Sequence, residues 1–546
     1  MGLDSNPPGT ESPGNVVTRK VFISNAELSN EILIAKITVN KSFNKIAYAK
    51  VVFIDGSAAE RNFTLSNDNR FKPGNDIKIQ LGYDGNADTI FEGIIIKHGI
   101  KIRQSGGSLL IIEAKDKAIK LTGTRKSAYF INKLDSEVIS TIASALQPDI
   151  EATQNPIKQL VQFESTDWDF ICTRAEANSM MVLTDDNKLI VKKPSVLLPA
   201  VLTATYGQNI NEFEAEMDAR RQINSVTGQS WDYSTQQLET SGTGSSDFAE
   251  NGNLSSTELG SVIGAEVKLS HPGHLTQAQL QDWANAYALR NKISKAVGRV
   301  RISGNSAVKP GKMITLAGVG DRFNGNVFVT GILHHFEGSW VTDIQFGWNE
   351  DWFCHREKVM EKPASGLLPG INGLHIGKVI STDDTEEGGQ YRIQVHVPTI
   401  SPGTEGIWAR VAALDAGPER GSYFRPQEHD EVVLGFLNDD PREAVILGYL
   451  HSKDTNKSPL PETEGMLEYG FVTKEKMKLV FDDSNKRVTL SAKTASGEKT
   501  VVLNNESGAL ELKDENTNTI KMDASGITIQ SDSGIITIKG TQVLIN

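Results

Sequence analysis

Three pairs of neighbouring carboxylates are the first candidates for chemistry in this sequence, because two acidic groups held together can divide general acid and general base roles. Each pair lies within a few residues of Gly, Ser, Asn or Pro, where aspartate commonly forms turns. We therefore interpret all three as turn residues rather than as catalytic dyads. The pairs are Asp383 and Asp384, Asp439 and Asp440, and Asp482 and Asp483.

Two pairs of histidines are candidate metal ligands. His334 and His335 are adjacent on a predicted strand, so their side chains point to opposite faces and a shared ion is awkward. His271 and His274 flank Pro-Gly ahead of a predicted helix, and an ordinary turn accounts for them. We predict no metal site and no cofactor.

We find no catalytic motif in the sequence that supports an enzymatic function. The sequence has no Gly-x-Ser-x-Gly elbow, P-loop or His-Glu-x-x-His helix. Trp408 and Phe424 could stack nucleic-acid bases, but without a basic groove we expect both in a hydrophobic core. The sequence therefore predicts a protein that is not an enzyme and has no catalytic residues.

The composition of the chain excludes further classes of function and partner. The chain has 546 residues, room for several domains, and a net charge of −12, which disfavours nucleic acid as a partner. Cys172 and Cys354 are the only cysteines, too few for a disulfide framework. The first residues do not resemble a signal peptide, and we find no apolar run long enough to span a membrane. We expect synthesis in the cytoplasm.

The region from residue 16 to 360 is predicted to be mixed and mostly strands. Thr166 is a predicted helix N-cap, Asp135 another, and Thr276 with Gln279 has the spacing of a capping box. Residues 234–261 are rich in Ser, Thr, Gly, Asn and Gln and are predicted to form a flexible loop.

Five short strand-like runs with Gly-rich turns follow between residues 374 and 451, after a linker at 361–373. Such a pattern favours a small closed barrel of the OB type. Tyr391, Ile393, Val395 and Val397 alternate in the second run, so we expect them on one face. A second linker is predicted at 452–474.

Short alternating apolar runs fill residues 475–546. These strands have one apolar face and little else to cover it, so a lone chain cannot bury enough surface. Their eight- to ten-residue spacing favours three chains wound into a triple-stranded needle. The expected core residues are Ile520, Met522, Ile527, Ile529, Ile536 and Ile538.

Several ordered signatures occur across the chain. They are Glu164-Ser-Thr-Asp-Trp-Asp-Phe170 with Arg174-Ala-Glu176, His271-Pro-Gly273, Gly298-Arg-Val-Arg301, Arg392-Ile-Gln-Val395, Trp408-Ala-Arg-Val411, Phe424-Arg-Pro426, Asp430-Glu-Val-Val-Leu434, Asp440-Pro441 and Ile446-Leu-Gly448. Together they resemble the valine-glycine-repeat (VgrG) spike proteins of type VI secretion and related contractile injection systems, which are similar to the phage tail hub and spike.

This resemblance implies a mainly β protein with a few helices. After a disordered N-terminus at 1–15, a phage-hub-like domain with two β-barrel subdomains would span 16–360. An OB-fold domain would follow at 374–451 and a trimeric β-helix, or β-prism, needle at 475–546.

The resemblance also implies partners. The chain would be a homotrimer that joins the inner tube protein and baseplate proteins to a tip protein with Pro-Ala-Ala-Arg (PAAR) repeats, with effector cargo as a possible further partner. The tip would dock on Val543, Leu544, Ile545 and Asn546. Assembled into the particle and delivered outside the cell, the spike would pierce the target envelope when a sheath contracts, touching the membrane only transiently.

Two other functions stay open from the residues alone. A β-helical tailspike that hydrolyses or cleaves glycans would need paired carboxylates in a groove, and eight-residue coils leave little room for one. An adhesin would need an export signal.

Overall fold

The computed structural model describes most of the chain, in two compact units, Met1–Glu361 and Lys362–Asn546. The predicted disordered segment 1–15 lies outside the described residues. The described residues are 16–105, 107–195, 198–348, 351–355, 359, 362–385, 390–460 and 467–545.

Seven strands open the first unit, and alternating apolar side chains give them a shared core. In β5, for example, Ile77, Ile79 and Leu81 are buried while the residues between them are not, as the sequence predicts. The strands are β1 (Val17–Ile23), β2 (Ala26–Glu27), β3 (Ile34–Ser42), β4 (Lys45–Ile54), β5 (Asp76–Tyr83), β6 (Asp88–Lys101) and β7 (Leu109–Lys115).

A helical insertion follows. Thr166 caps the second of its helices by accepting a hydrogen bond from the Asp169 N–H, as predicted. The N-cap predicted at Asp135 is wrong by one residue, because Leu134 takes that position and Asp135 opens the helix. The elements are β8 (Arg125–Lys133), α1 (Asp135–Ile142), β9 (Asp149–Ile150), β10 (Ile157–Thr166), α2 (Asp167–Ala177), β11 (Met181–Asp185) and β12 (Lys188–Lys192).

The remainder of the first unit completes a 13-stranded sheet. Its longest path runs β14-β18-β21-β20-β3-β4-β7-β6-β5-β1-β2, so β20 pairs with β3 and joins the two ends of the unit. The elements are β13 (Ala200–Thr205), β14 (Ile210–Met217), β15 (Ser225–Asp232), β16 (Gln237–Thr240), α3 (Ser256–Ile263), β17 (Glu266–His271), α4 (Gln277–Ser294), β18 (Ala296–Ser303), β19 (Met313–Ala317), β20 (Gly325–Glu337) and β21 (Ser339–Phe346).

Two separate apolar cores lie against this sheet, one under β1–β7 and one under β13, β14 and β18–β21. The sheet therefore has two halves, and each half has its own apolar core.

The segment predicted as a flexible loop, 234–261, contains regular structure. It includes β16 and the start of α3, where the Ser255 hydroxyl accepts from the Glu258 N–H and the Glu258 carboxylate accepts from the Ser255 N–H. This reciprocal capping box is visible in the sequence as Ser-x-x-Glu. The prediction of a loop relied on the polar composition of the segment and overlooked this spacing.

The OB prediction is confirmed by a closed barrel in the second unit, with strand order β22-β23-β24-β28-β27. Ile393 and Val395 point into its core together with Val397, whereas Tyr391 is exposed and has a positive φ of 58°, so its predicted place on the same face is wrong. The strands are β22 (His375–Ser381), β23 (Ile393–His396), β24 (Ile407–Val411), β25 (Ala416–Gly417), β26 (Arg420–Gly421), β27 (Glu431–Phe436) and β28 (Ala444–Tyr449).

The last seven strands form one antiparallel meander, in chain order from β29 to β35. The sheet begins at Glu468, inside the predicted linker 452–474, because β29 pairs with β30. Runs predicted as strands around Ile536–Ile538 and Val543–Ile545 are not strands here. The strands are β29 (Glu468–Val472), β30 (Lys478–Asp482), β31 (Arg487–Lys493), β32 (Glu498–Asn504), β33 (Ala509–Lys513), β34 (Thr519–Asp523) and β35 (Gly526–Gln530).

Candidate functional site: the apolar face of the C-terminal sheet

The C-terminal meander carries two unbroken rows of apolar side chains on one face. Residues paired across antiparallel strands lie on the same face, and residues two apart on a strand do too, so the register assigns each row. The first row is Phe471, Leu479, Leu490, Val501, Leu512, Ile520 and Ile529, and the second is Tyr469, Phe481, Val488, Leu503, Leu510, Met522 and Ile527. These fourteen side chains are called the apolar face below.

The opposite face of the same sheet is mostly polar. Its central row contains Thr489, Glu511, Lys521 and Thr528, which alternate with the apolar rows along their strands. The sheet is therefore strongly two-sided, which is typical of a surface that covers an apolar core on one side only.

Much of the apolar face is exposed in the single chain. Leu503 is 53% exposed and Ile527 68%. A groove of about 830 Å³ runs along the first row, and its far wall includes Ile535 and Ile536. Apolar patches of this extent on a soluble protein mark interaction surfaces.

The structure brings together four of the six residues predicted for the needle core. Ile520 pairs with Ile529 and Met522 pairs with Ile527, all on the apolar face. Ile538 lies beyond the last strand and is 67% exposed, whereas Ile536 lines the groove.

The residues predicted to dock a tip protein follow the sheet. Val543, Leu544 and Ile545 are 48%, 77% and 88% exposed. The fourth, Asn546, lies outside the described residues.

Two aromatic residues expected in the barrel core lie outside it. Trp408 is half-buried on the outer surface, since its neighbour Ala409 points inward, and the Arg392 guanidinium lies 5.7 Å from its ring centroid. Phe424 is 57% exposed. The buried core of the barrel consists instead of Ala, Val, Ile and Leu side chains.

The adjacent histidines point to opposite sides, as expected for neighbours on a strand. His334 is buried, with its Nδ1 2.9 Å from the Thr342 hydroxyl, and His335 lies 3.3 Å from the Glu337 carboxylate. Desolvation, together with the positive charges of Lys41 and Lys309, lowers the pKa of His334 to about 3. The imidazole therefore stays neutral in the folded protein.

One carboxylate of each acidic pair accepts a hydrogen bond from an arginine that is close in the sequence. Asp384 accepts from Arg392, Asp440 from Arg442 and Asp482 from Arg487. The hydrogen bonds from arginine lower the pKa of both Asp384 and Asp440 to about 2. Such carboxylates stay ionised at neutral pH, and their oxygens already accept hydrogen bonds from arginine.

The Arg174-Ala-Glu176 signature has a structural basis that the sequence analysis did not supply. Arg174 makes a two-pronged ion pair with Asp135 at 2.7 and 2.8 Å. The buried Glu176 accepts from Arg290 Nη1 at 2.8 Å, from Asn44 Nδ2 at 2.8 Å and from a backbone N–H. These contacts tie α2 to distant segments of the first unit.

In the described part of the chain, we find no helix with the length and hydropathy needed to cross a bilayer.

Two family models match the chain. One, described as the Alg8 N-terminal domain, matches residues 13–338. The other, described as the type VI secretion system/phage-baseplate injector OB domain, matches residues 375–451, the closed barrel described above. No curated protein gives a significant match.

Solved structures similar to the chain include a tail protein, a component of the type VI secretion system and a complex that contains VgrG. A tail protein from Neisseria meningitidis is 13% identical, with 62% of this chain and 98% of that chain covered and a TM-score of 0.45. An Escherichia coli component of the type VI secretion system is 14% identical, with coverages of 79% and 100% and a TM-score of 0.39. The Francisella PdpA-VgrG complex is 10% identical, with coverages of 95% and 80% and a TM-score of 0.39.

The OB-domain match confirms the resemblance to injector spike proteins that the sequence signatures indicated. Because the match to residues 13–338 spans more than half of the chain, the protein belongs to the family defined by the Alg8 N-terminal domain, and its second unit carries the injector OB domain.

Proposed function

We propose that this protein is the central spike of a contractile injection machine and that it works as a homotrimer. The observation that carries the proposal is the apolar face of the C-terminal sheet, which follows directly after an injector OB domain in the chain. The role is mechanical and non-enzymatic: a stiff, narrow trimer pierces the target envelope when the sheath contracts.

The trimer follows from how the apolar face can be covered. Burial of apolar area contributes ~25 cal/mol per Å², and the described residues of the second unit offer no other sheet or helix opposite this face. Three copies with their apolar faces turned to a common axis would form a closed prism with a dry interior. In such a prism each copy covers the faces of the other two.

The remaining partners are those that the resemblance to injector spike proteins implies. The hub at residues 16–360 would seat on the inner tube and contact baseplate proteins, and the OB barrel would form a collar above the needle. Synthesis would take place in the cytoplasm, where the spike joins the particle that later delivers it, with any effector cargo, outside the cell.

The mass of the assembly in solution tests this proposal. Light scattering on the full chain should give three times the mass of one chain, and a chain truncated after residue 460 should assemble more weakly because it lacks the sheet. A folded monomer or a dimer at full length would contradict the proposed spike.

The tip-docking residues are a separate part of the proposal, supported by the exposed Val543, Leu544 and Ile545. Removing residues 543–546 should leave the trimer intact and abolish co-purification with a PAAR-repeat tip protein. The matched control is Thr541→Ser in the full chain, which should retain the tip. Retention of the tip by the shortened chain would place the docking site elsewhere.

A further inference from the structure

Three potential metal ligands from three separate segments converge at one end of β15. They are Asp232 at the end of β15, Glu239 in β16, and His274 in the turn ahead of α4. One ligand atom from each lies within 4.8 Å of the other two. From the sequence, His274 is paired only with His271, because the fold alone brings the two carboxylates beside it.

We propose that Asp232, Glu239 and His274 form a binding site for a divalent transition-metal ion of the zinc type. The proposal concerns the first unit alone and does not depend on the spike function.

The types of ligand atom at this site determine which metal ions it would bind. One imidazole nitrogen and two carboxylate oxygens suit Zn²⁺, which often takes three protein ligands and completes its tetrahedron with water. Ca²⁺ and Mg²⁺ prefer all-oxygen sites with more ligands.

The distance between the His274 and Asp232 ligand atoms requires only a small adjustment to hold a zinc ion. Ligand atoms around a tetrahedral zinc ion, each ~2.1 Å from it, lie ~3.4 Å apart. His274 Nε2 and Asp232 Oδ1 are 3.9 Å apart in the structure. The His274 side chain is 35% exposed, so it can rotate to close this gap without disturbing a core.

Neighbouring polar groups hold the Asp232 carboxylate in place. Ser234 donates to Oδ1 from its N–H at 2.9 Å and from its hydroxyl at 2.7 Å, and the Thr235 hydroxyl donates to Oδ2 at 2.9 Å. Hydrogen bonds from residues that do not themselves bind the ion hold a ligand side chain in the orientation needed to bind it.

An ion at this position would fasten the β15–β16 hairpin to the start of α4. This is the region where Tyr233 already contacts the His274 ring edge-on, with centroids 5.9 Å apart. The site would therefore stabilise the junction between this hairpin and the start of α4.

Zinc titration calorimetry on the full chain, stripped with a chelator, tests the site. We expect one Zn²⁺ per chain for the unmodified protein, and loss of that binding in His274→Ala and in Glu239→Gln. The matched control is His271→Ala, since His271 lies three residues away and its Nδ1 accepts from the Gly273 N–H instead. Equal zinc binding by the unmodified protein and His274→Ala, or no saturable binding at all, would overturn the proposal.

Two further measurements keep the test independent of folding defects. Ser234→Ala keeps all three ligands and should weaken zinc binding by about 10- to 100-fold, the usual effect of losing an outer contact. Zinc should also raise the melting temperature of the unmodified protein and of His271→Ala, but not that of His274→Ala, because a ligand stabilises only the state that binds it. A zinc-induced rise of the same size in His274→Ala would contradict the site.

Discussion

The ring of Phe424, in the segment before β27, stacks on the ring of Phe471 in β29, with centroids 5.5 Å apart and planes inclined by 13°. The Tyr449 hydroxyl donates to the Phe424 carbonyl at 2.7 Å and fixes the backbone beneath the ring. Within the second unit, this stack connects the closed barrel to the first strand of the C-terminal sheet. It also explains why Phe424 is absent from the barrel core.

Removing the stack should loosen the start of the sheet. Phe471→Ala removes a ring pair of a kind that contributes ~1 kcal/mol beyond its area burial, so amides of β29 should exchange with solvent about five times faster. Hydrogen exchange read by mass spectrometry measures this, with Tyr423→Ala as the control because Tyr423 is exposed and lies next to the stacked ring. An unchanged exchange rate in Phe471→Ala would mean that the stack does not stabilise the connection between the closed barrel and the C-terminal sheet.

A charge on the apolar face should block assembly without unfolding the chain. Ile527 is 68% exposed in the single chain, so Ile527→Asp costs the isolated sheet little but would place a carboxylate in a dry trimer interior. We expect a folded monomer by light scattering and circular dichroism. Thr528→Asp, one residue along on the opposite face, should remain trimeric. A trimer of Ile527→Asp would show that this face is not the shared interior.

The buried network around Glu176 should be essential to the first unit. Glu176→Ala leaves the Arg290 guanidinium, which is 9% exposed, without its buried carboxylate. Removing one partner of a buried pair typically costs ~3–5 kcal/mol, which denaturant unfolding of the full chain would detect in the transition of the first unit. Glu337→Ala, in the exposed pair with Lys36, should leave that transition unchanged. Equal effects of the two substitutions would argue against the role of this network.

The buried His334 should make the first unit less stable in acid. Its pKa falls from about 6.5 to about 3 on folding, so between these values the unfolded chain binds a proton that the folded chain cannot. The contribution to stability is therefore present above pH 6.5 and is lost progressively as the pH falls toward 3.

Replacing this histidine should flatten the pH dependence. His334→Asn should show a shallower fall in melting temperature between pH 7 and pH 4 than the unmodified protein. His335→Asn changes the neighbour that points to the opposite face, and it should keep the original slope. Parallel slopes for all three proteins would show that His334 does not titrate on unfolding.

The sequence by itself determined the local elements and the order of the parts. Capping at Thr166 and Thr276 depends on hydrogen bonds within one helical turn, and the barrel strands follow from alternation along each strand. Such features involve residues close in the chain, so their spacing is sufficient to predict them. The position of Ile520, Met522, Ile527 and Ile529 on one face was predictable for the same reason.

Only the tertiary structure decided which distant residues meet. The pairing of β20 with β3, the buried contacts of Glu176 and the approach of Asp232 to His274 all join segments far apart in sequence. Trp408 was expected in the core because the sequence offers no basic groove, whereas the buried core of the barrel consists of Ala, Val, Ile and Leu side chains. These outcomes depend on packing and on strand order, which local periodicity does not encode.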